Sequence, residues 1–149
     1  MNRLILPRDA CVQIEAAARA AWPRECCGLL EGTHVGGTAV VTAIHPTSNL
    51  ADGAGAFEIS PAEHIRLLRA LRGTGKAIVG CYHSHPNGEP VPSARDRQSA
   101  CESGFVWLIA ALSSPQAAAI AAFLFDGSAF QPLPIIATAS LDPARRPRV

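Results

Sequence analysis

The sequence predicts an α/β domain in which one mixed, curved β-sheet lies between helices, making three layers. Three observations carry this expectation. Apolar runs with strand character alternate with stretches of helical spacing along the chain. Some neighbouring strands are separated only by turn-forming residues, so they pair as hairpins and the sheet is not wholly parallel. The 149 residues, 48% hydrophobic and 17% charged, suit one globular domain with a real core.

The elements follow in order. Arg3 to Leu6 is a short strand, and a helix runs from about Arg8 to Trp22 with Cys11, Ile14, Ala18 and Ala21 on its core face. Cys26 to Glu31 and Val40 to His45 are apolar strands expected to pair antiparallel across a Gly32–Gly37 turn. Asn49 to Gly55 is a polar, glycine-rich loop whose flexibility would suit a substrate-contacting flap, though it reads first as an ordinary connector, and Phe57 to Ile59 reads as a brief strand. Ser60-Pro61-Ala62-Glu63 has the cap, the proline and the acid of a helix start. That helix is expected to run to Arg72, with Ile65, Leu68 and Leu71 inward and Gly73 and Gly75 ending it. Lys76 to Tyr82 is a strand rich in β-branched and aromatic residues that leads into His83 and His85. Ser93 opens a helix to about Cys101. Phe105 to Leu112 is a continuous apolar run and therefore a central strand. Ala117 to Phe125 is read as a strand because Asp126-Gly127 turns the chain toward Ala129-Phe130. The domain is expected to span residues 1–140, with 141–149 a Pro- and Arg-rich tail.

Composition excludes several classes. Net charge is +1 with no basic block in the body of the chain, which gives no footing for nucleic acid. Asp9, Glu15 and Arg19 interrupt any secretory apolar segment. Ser103 to Phe125 carries no charge, but Ser113-Ser114-Pro115-Gln116 breaks it as a turn between two buried strands, so no membrane span is expected. The 5 cysteines form no C-x-x-C pair and no even disulfide framework; they read as reduced thiols in a cytoplasmic protein. His34, His45 and His64 read as surface or local residues.

The most informative string is His83-Ser84-His85-Pro86, followed by Ser93 and Asp96. Residues two apart on a strand share a face, about 6.5–7 Å apart along the chain, so His83 and His85 can converge on one ion. Cys81 shares that face but lies roughly 13 Å from His85 at strand rise, too far to join them; it reads as core. Pro86 ends the strand, and residues 87–92 are turn chemistry. Ser93-x-x-Asp96 is a helix-capping signature that puts Asp96 in the first helical turn. Taken alone, each piece is common. Together they supply two imidazoles and a carboxylate, which leave a fourth position of a zinc ion open, the mark of a catalytic rather than a structural site. The ligand set alone does not exclude Fe(II).

A zinc hydrolase also needs a proton shuttle. Glu25, in Pro23-Arg24-Glu25-Cys26-Cys27-Gly28-Leu29-Leu30, is an isolated acid beside an apolar run and is the candidate. Glu25, His83-Ser84-His85-Pro86, Ser93 and Asp96 together resemble the JAMM motif of the MPN+ metalloprotease family, its short prokaryotic members in particular. The resemblance implies zinc held by His83, His85 and Asp96, Glu25 as general acid/base and Ser93 as donor to the oxyanion. It also implies a fold related to cytidine deaminase. Deaminase chemistry itself is not expected, because the chain has neither H-x-E nor P-C-x-x-C.

The activity implied is cleavage after the C-terminal glycine of a ubiquitin-like or sulfur-carrier protein, by deconjugation, trimming or release of a carrier-bound cysteine. A Gly-Gly tail is thin enough to add along a sheet edge and reach a recessed metal. Two other readings compete with it: a binding module of the same fold that does no chemistry, and a zinc hydrolase of small amides. Oligomeric state is not legible in the sequence.

Overall fold

The computed structural model describes residues 1–86 and 88–139. The expected tail at 141–149 lies outside the described residues. The chain folds as β1 (Arg3–Pro7), α1 (Arg8–Ala21), β2 (Cys27–Val35), β3 (Thr38–Thr47), α2 (Pro61–Leu71), β4 (Ala77–His85), α3 (Ala94–Ser99), β5 (Phe105–Ser114), β6 (Ala117–Phe125), β7 (Phe130–Leu133) and β8 (Ile135–Thr138). All 8 strands join one sheet in the order β7-β6-β5-β4-β2-β3-β1-β8. The sheet is mixed, as expected. β4 runs parallel to β5, and β1 runs parallel to β3 and β8. The pairs β2–β3, β2–β4, β5–β6 and β6–β7 are antiparallel.

Each face of the sheet is covered. On one side, Ala10, Ile14 and Ala18 of α1 pack with Leu4, Leu6, Leu30, Tyr82, Val106 and Leu108. On the other, Leu67 of α2 packs with Leu29, Cys81, Trp107 and Phe125. Successive strand residues point to opposite faces, which is why Cys81 and Tyr82, or Leu29 and Leu30, serve different cores. Cys81 is the core residue that the strand spacing required.

Several sequence expectations shift. The chain stays in the sheet through Gly32 and turns only at Gly36-Gly37, where Gly36 has φ +59°. A Cβ on Gly32 would sit 2.0 Å from the Val40 carbonyl oxygen, so its glycine serves close strand approach at a bulge, not a turn. Phe57–Ile59 is no strand; only Ile59 forms an isolated bridge, with Asn49. On α2 Leu67 is buried and the expected Leu71 packs partly buried against the same core, while Ile65 and Leu68 are about half exposed. The helix packs by a narrow stripe, so a shift of one or two positions moves a side chain from core to solvent. α3 ends at Ser99, short of Cys101. β8 had no clear signal, being four residues separated from β7 only by Pro134.

Candidate active site

The site forms where the start of β2 meets the end of β4. These strands run antiparallel with Cys27 opposite His83, so the segment just before β2 is carried to the histidine end of β4. A two-point clamp fixes this contact. The Ser84 amide donates to the Cys26 carbonyl at 3.1 Å, and the Cys26 amide donates to Ser84 Oγ at 2.8 Å. Glu25 is thereby held beside residues some sixty positions later in the chain.

The five sequence candidates converge. His83 and His85 lie on one face of β4 with their Nε2 atoms 3.0 Å apart. Asp96 Oδ2 is 3.2 Å from each. Glu25 belongs to the same cluster: its carboxylate and both imidazoles offer ligand atoms within 4.8 Å of one another. Ser93 is the N-cap of α3 in a reciprocal capping box. Its Oγ accepts from the Asp96 amide at 3.0 Å, and its amide donates to Asp96 Oδ2 at 2.8 Å. The helix start therefore aims the carboxylate at the histidines. Pro23, Glu25, Ala54, Gly55, His85, Pro86, Gly88 and Ser93 line a cleft of about 310 Å³ over this cluster.

The donor set fits a small divalent cation. Ligand atoms about 2.0–2.1 Å from a tetrahedral ion lie about 3.3 Å apart, close to the triangle that His83, His85 and Asp96 make. Proton placement agrees. The Glu89 carbonyl can only accept, so His85 Nδ1, 2.9 Å away, carries a hydrogen. In the neutral ring Nε2 then presents a lone pair toward the Asp96 carboxylate. Two lone pairs at 3.2 Å repel unless a proton or a cation lies between them.

The electrostatics follow from burial and from these contacts. Burial lowers the pKa of His83, against the pull of Asp96. Burial acts the same way on His85, but hydrogen bonds to Asp96 and the Glu89 carbonyl outweigh it and raise its pKa. Burial alone would raise Asp96, yet bonds to both histidines and the Ser93 amide hold it well below the usual carboxylate range. Glu25 is pushed up to about 7, chiefly by burial and further by the Asp96 charge, with His85 and Arg95 opposing. One carboxylate is kept ionised and its neighbour is poised near neutrality, which separates a ligand from a proton shuttle.

Sequence reasoning missed the supporting residues. Phe57 stacks on the His83 ring at 4.2 Å between centroids, and Trp107 meets that ring edge-on at 5.7 Å. Ser84 carries the clamp to Cys26, and Asn49 donates to the Glu25 carbonyl at 3.0 Å. Ser84 stood inside the motif, but nothing local marked its partner. Asn49 opens a stretch that reads first as a connector, and Phe57 reads as a residue of a brief strand; neither carries a local sign of its partner at the site.

Two imidazoles and a carboxylate at a cleft, with a second carboxylate alongside, make a donor set that could hold a metal ion with a position left open, on a mixed α/β domain. The chain belongs to the Prok-JAB family, prokaryotic homologs of the JAB domain, whose model matches residues 7–124. This bears out the motif resemblance. Over 113 residues it is 43% identical to the desampylase of Haloferax volcanii, covering 72% of this chain and 80% of that protein. Over 101 residues it is 32% identical to a probable TtuB-protein conjugate cleaving protease of Thermus thermophilus, covering 65% of this chain and 63% of that one. A solution structure of a protein from Desulfitobacterium hafniense superimposes with TM-score 0.85 at 29% identity, covering 97% of this chain and 99% of that one.

Proposed function

We propose that this protein is a zinc-dependent peptidase or isopeptidase that hydrolyses the bond after the C-terminal glycine of a ubiquitin-like or sulfur-carrier protein. The observation that carries the reading is the meeting of His83, His85 and Asp96 beside the Glu25 carboxylate, with Glu25, His85 and Ser93 lining one cleft. His83, His85 and Asp96 hold the ion. A zinc ion bound there supplies Lewis acidity and a water acidified toward neutral pH. Glu25, a buried carboxylate beside the ligand set, takes a proton from the attacking water and returns it to the leaving amine. Ser93 Oγ already accepts from the Asp96 amide, which leaves its own hydrogen free to donate to a developing oxyanion in the cleft. His83 is held in place by Phe57 and Trp107, and His85 by the Glu89 carbonyl.

The relatives named for desampylation and for conjugate cleavage support a protein-conjugate substrate. The cleft supports a slender one, because Ala54, Gly55 and Gly88 stand at its walls and leave room for an extended glycine tail. The layering of α1 and α2 on opposite faces of a mixed sheet supports a cytidine deaminase-like architecture. The catalytic domain spans residues 1–140 in this reading. Its setting is the cytoplasm, which suits five free cysteines. Among the described residues no helix is long and apolar enough to cross a membrane.

The deciding experiment is Glu25→Gln in zinc-loaded protein, assayed on a ubiquitin-like protein fused through its C-terminal glycine to a reporter. Zinc content should be retained while turnover is lost. Unchanged turnover removes Glu25 from the mechanism. A zinc-loaded wild type that binds such fusions and never cleaves them identifies a binding module. Cleavage confined to short free peptides identifies a small-amide hydrolase.

A further inference from the structure

The 51–58 segment supplies part of the cleft wall and one contact to a metal ligand. Ala54 and Gly55 line the cleft, and Phe57 stacks on His83. This segment is closed at its neck by the bridge between Asn49 and Ile59 and by the bond from the Leu50 amide to the Glu58 carbonyl at 2.9 Å. Inside the neck lies the Asn49 side chain, and every hydrogen-bonding position of its amide is used. Oδ1 accepts from the Ala51 amide at 2.9 Å and from the Glu58 amide at 3.0 Å. Nδ2 donates to the Ala56 carbonyl and to the Glu25 carbonyl, each at 3.0 Å. An asparagine amide has two donor hydrogens and two acceptor lone pairs, so the group is saturated. A second tie runs the same way, from the Arg24 guanidinium to the Ala51 carbonyl.

We infer that Asn49 is a positioning residue that sets the cleft wall and Glu25 as one unit; this rests on the proposed hydrolase reading. Glu25 lies between α1 and β2, outside both. Its place is fixed by the Ser84 clamp on Cys26 and by Asn49 on its own carbonyl. The metal ligands keep anchors apart from Asn49, namely the β4 register, the α3 capping box and the Trp107 edge against His83; Phe57 is the one support of His83 that belongs to the Asn49 segment. Loss of Asn49 therefore uncouples the proton shuttle from an intact metal site. A misplacement of about 1 Å at a reacting group costs on the order of 100-fold in rate.

Two variants separate the two halves of the role. Asn49→Asp keeps the acceptor for Ala51 and Glu58 and loses the donations to Ala56 and Glu25. Asn49→Ala loses all four bonds. Both are tested as zinc-loaded full chain, alongside the wild type. Zinc stoichiometry and affinity are expected to stay within about threefold, since the ligands have other anchors. On a ubiquitin-like fusion, Asn49→Asp should lower kcat about 10- to 100-fold with KM little changed. Asn49→Ala should lower kcat by at least as much and also raise KM, because the wall is freed. Hydrogen exchange supplies a readout apart from activity: the Cys26 amide should lose protection in both variants, and Ala51 and Glu58 only in Asn49→Ala. Wild-type kcat in Asn49→Asp, or loss of zinc in step with activity, overturns the inference. So does unchanged exchange at Cys26. If the wild type cleaves no ubiquitin-like fusion, the functional reading fails, and the exchange pattern still decides the positioning claim.

Discussion

Ser93 performs two tasks that substitution can separate. Its Oγ caps α3 by accepting from the Asp96 amide at 3.0 Å, and its hydroxyl hydrogen is free to donate into the cleft. Ser93→Ala removes both. Loss of an N-cap costs about 0.5–2 kcal/mol. For a chain of this size that is a fall in Tm of about 1–8 °C, at about 2–4 °C per kcal/mol. Loss of an oxyanion donor costs about 10²–10³ in kcat, or about 2.7–4 kcal/mol in the transition state. Ser93→Gly is the informative partner, because glycine costs only a few tenths of a kcal/mol at an N-cap, about 0.3. It should restore most of the Tm while leaving kcat as low as in Ser93→Ala. Ser93→Thr should restore both. The assay is steady-state hydrolysis of a ubiquitin-like fusion beside thermal melting, each with zinc loaded. If Ser93→Gly recovers kcat together with Tm, the hydroxyl acts only through the helix and the donor argument fails.

Three further outcomes are expected. Zinc at about 100 times its Kd should stabilise the wild type by about 2.7 kcal/mol, raising Tm by about 5–11 °C. Asp96→Asn, which removes the ligand charge while keeping an acceptor for the Ser93 amide, should abolish that shift; an equal shift in both proteins would remove Asp96 from the metal site. In metal-free protein, Glu25 has its folded pKa raised from 4.5 to about 7 by burial, so ionising it disfavours the fold. The cost is absent below about pH 4.5 and complete above about pH 7. Glu25→Gln should therefore melt higher than wild type at pH 8 in chelator and equally at pH 4, and a difference of the same size at both pH values would refute the assignment. Gly80 lies on β4, where a Cβ would meet the Val106 carbonyl oxygen at 2.1 Å. Gly80→Ala should force β4 and β5 apart and cost about 3 kcal/mol or more, seen in denaturant melts as a lower midpoint.

The elements that declare themselves locally were legible in the chain. Ser60-Pro61-Ala62-Glu63 starts α2 as its cap chemistry requires, with Ser60 accepting from the Glu63 amide. The alanine-rich β6 was legible through the Asp126-Gly127 turn, where Asp126 caps the Ser128 and Ala129 amides. What failed were features set by neighbours distant in sequence. Gly32 reads as a turn residue, and only the Val40 backbone against it shows that it belongs inside the sheet. Ile65 and Leu68 have core chemistry, yet the sheet accepts the stripe centred on Leu67. Phe57 reads as a strand residue, but its ring is taken by His83.

The sequence by itself determined which candidate ligand side chains are present and their local geometry. A strand period of two puts His83 and His85 on one face, and a capping box puts Asp96 in the first turn of α3; both follow from backbone periodicity and need no distant contact. Glu25 joined them in the sequence only through the motif resemblance, and tertiary structure supplied the physical proximity. That proximity comes from the antiparallel register placing Cys27 opposite His83, and from Ser84 and Asn49 fastening the segment there. Strand register is fixed by which side chains find a core across the whole sheet, so no window of the chain read alone contains it.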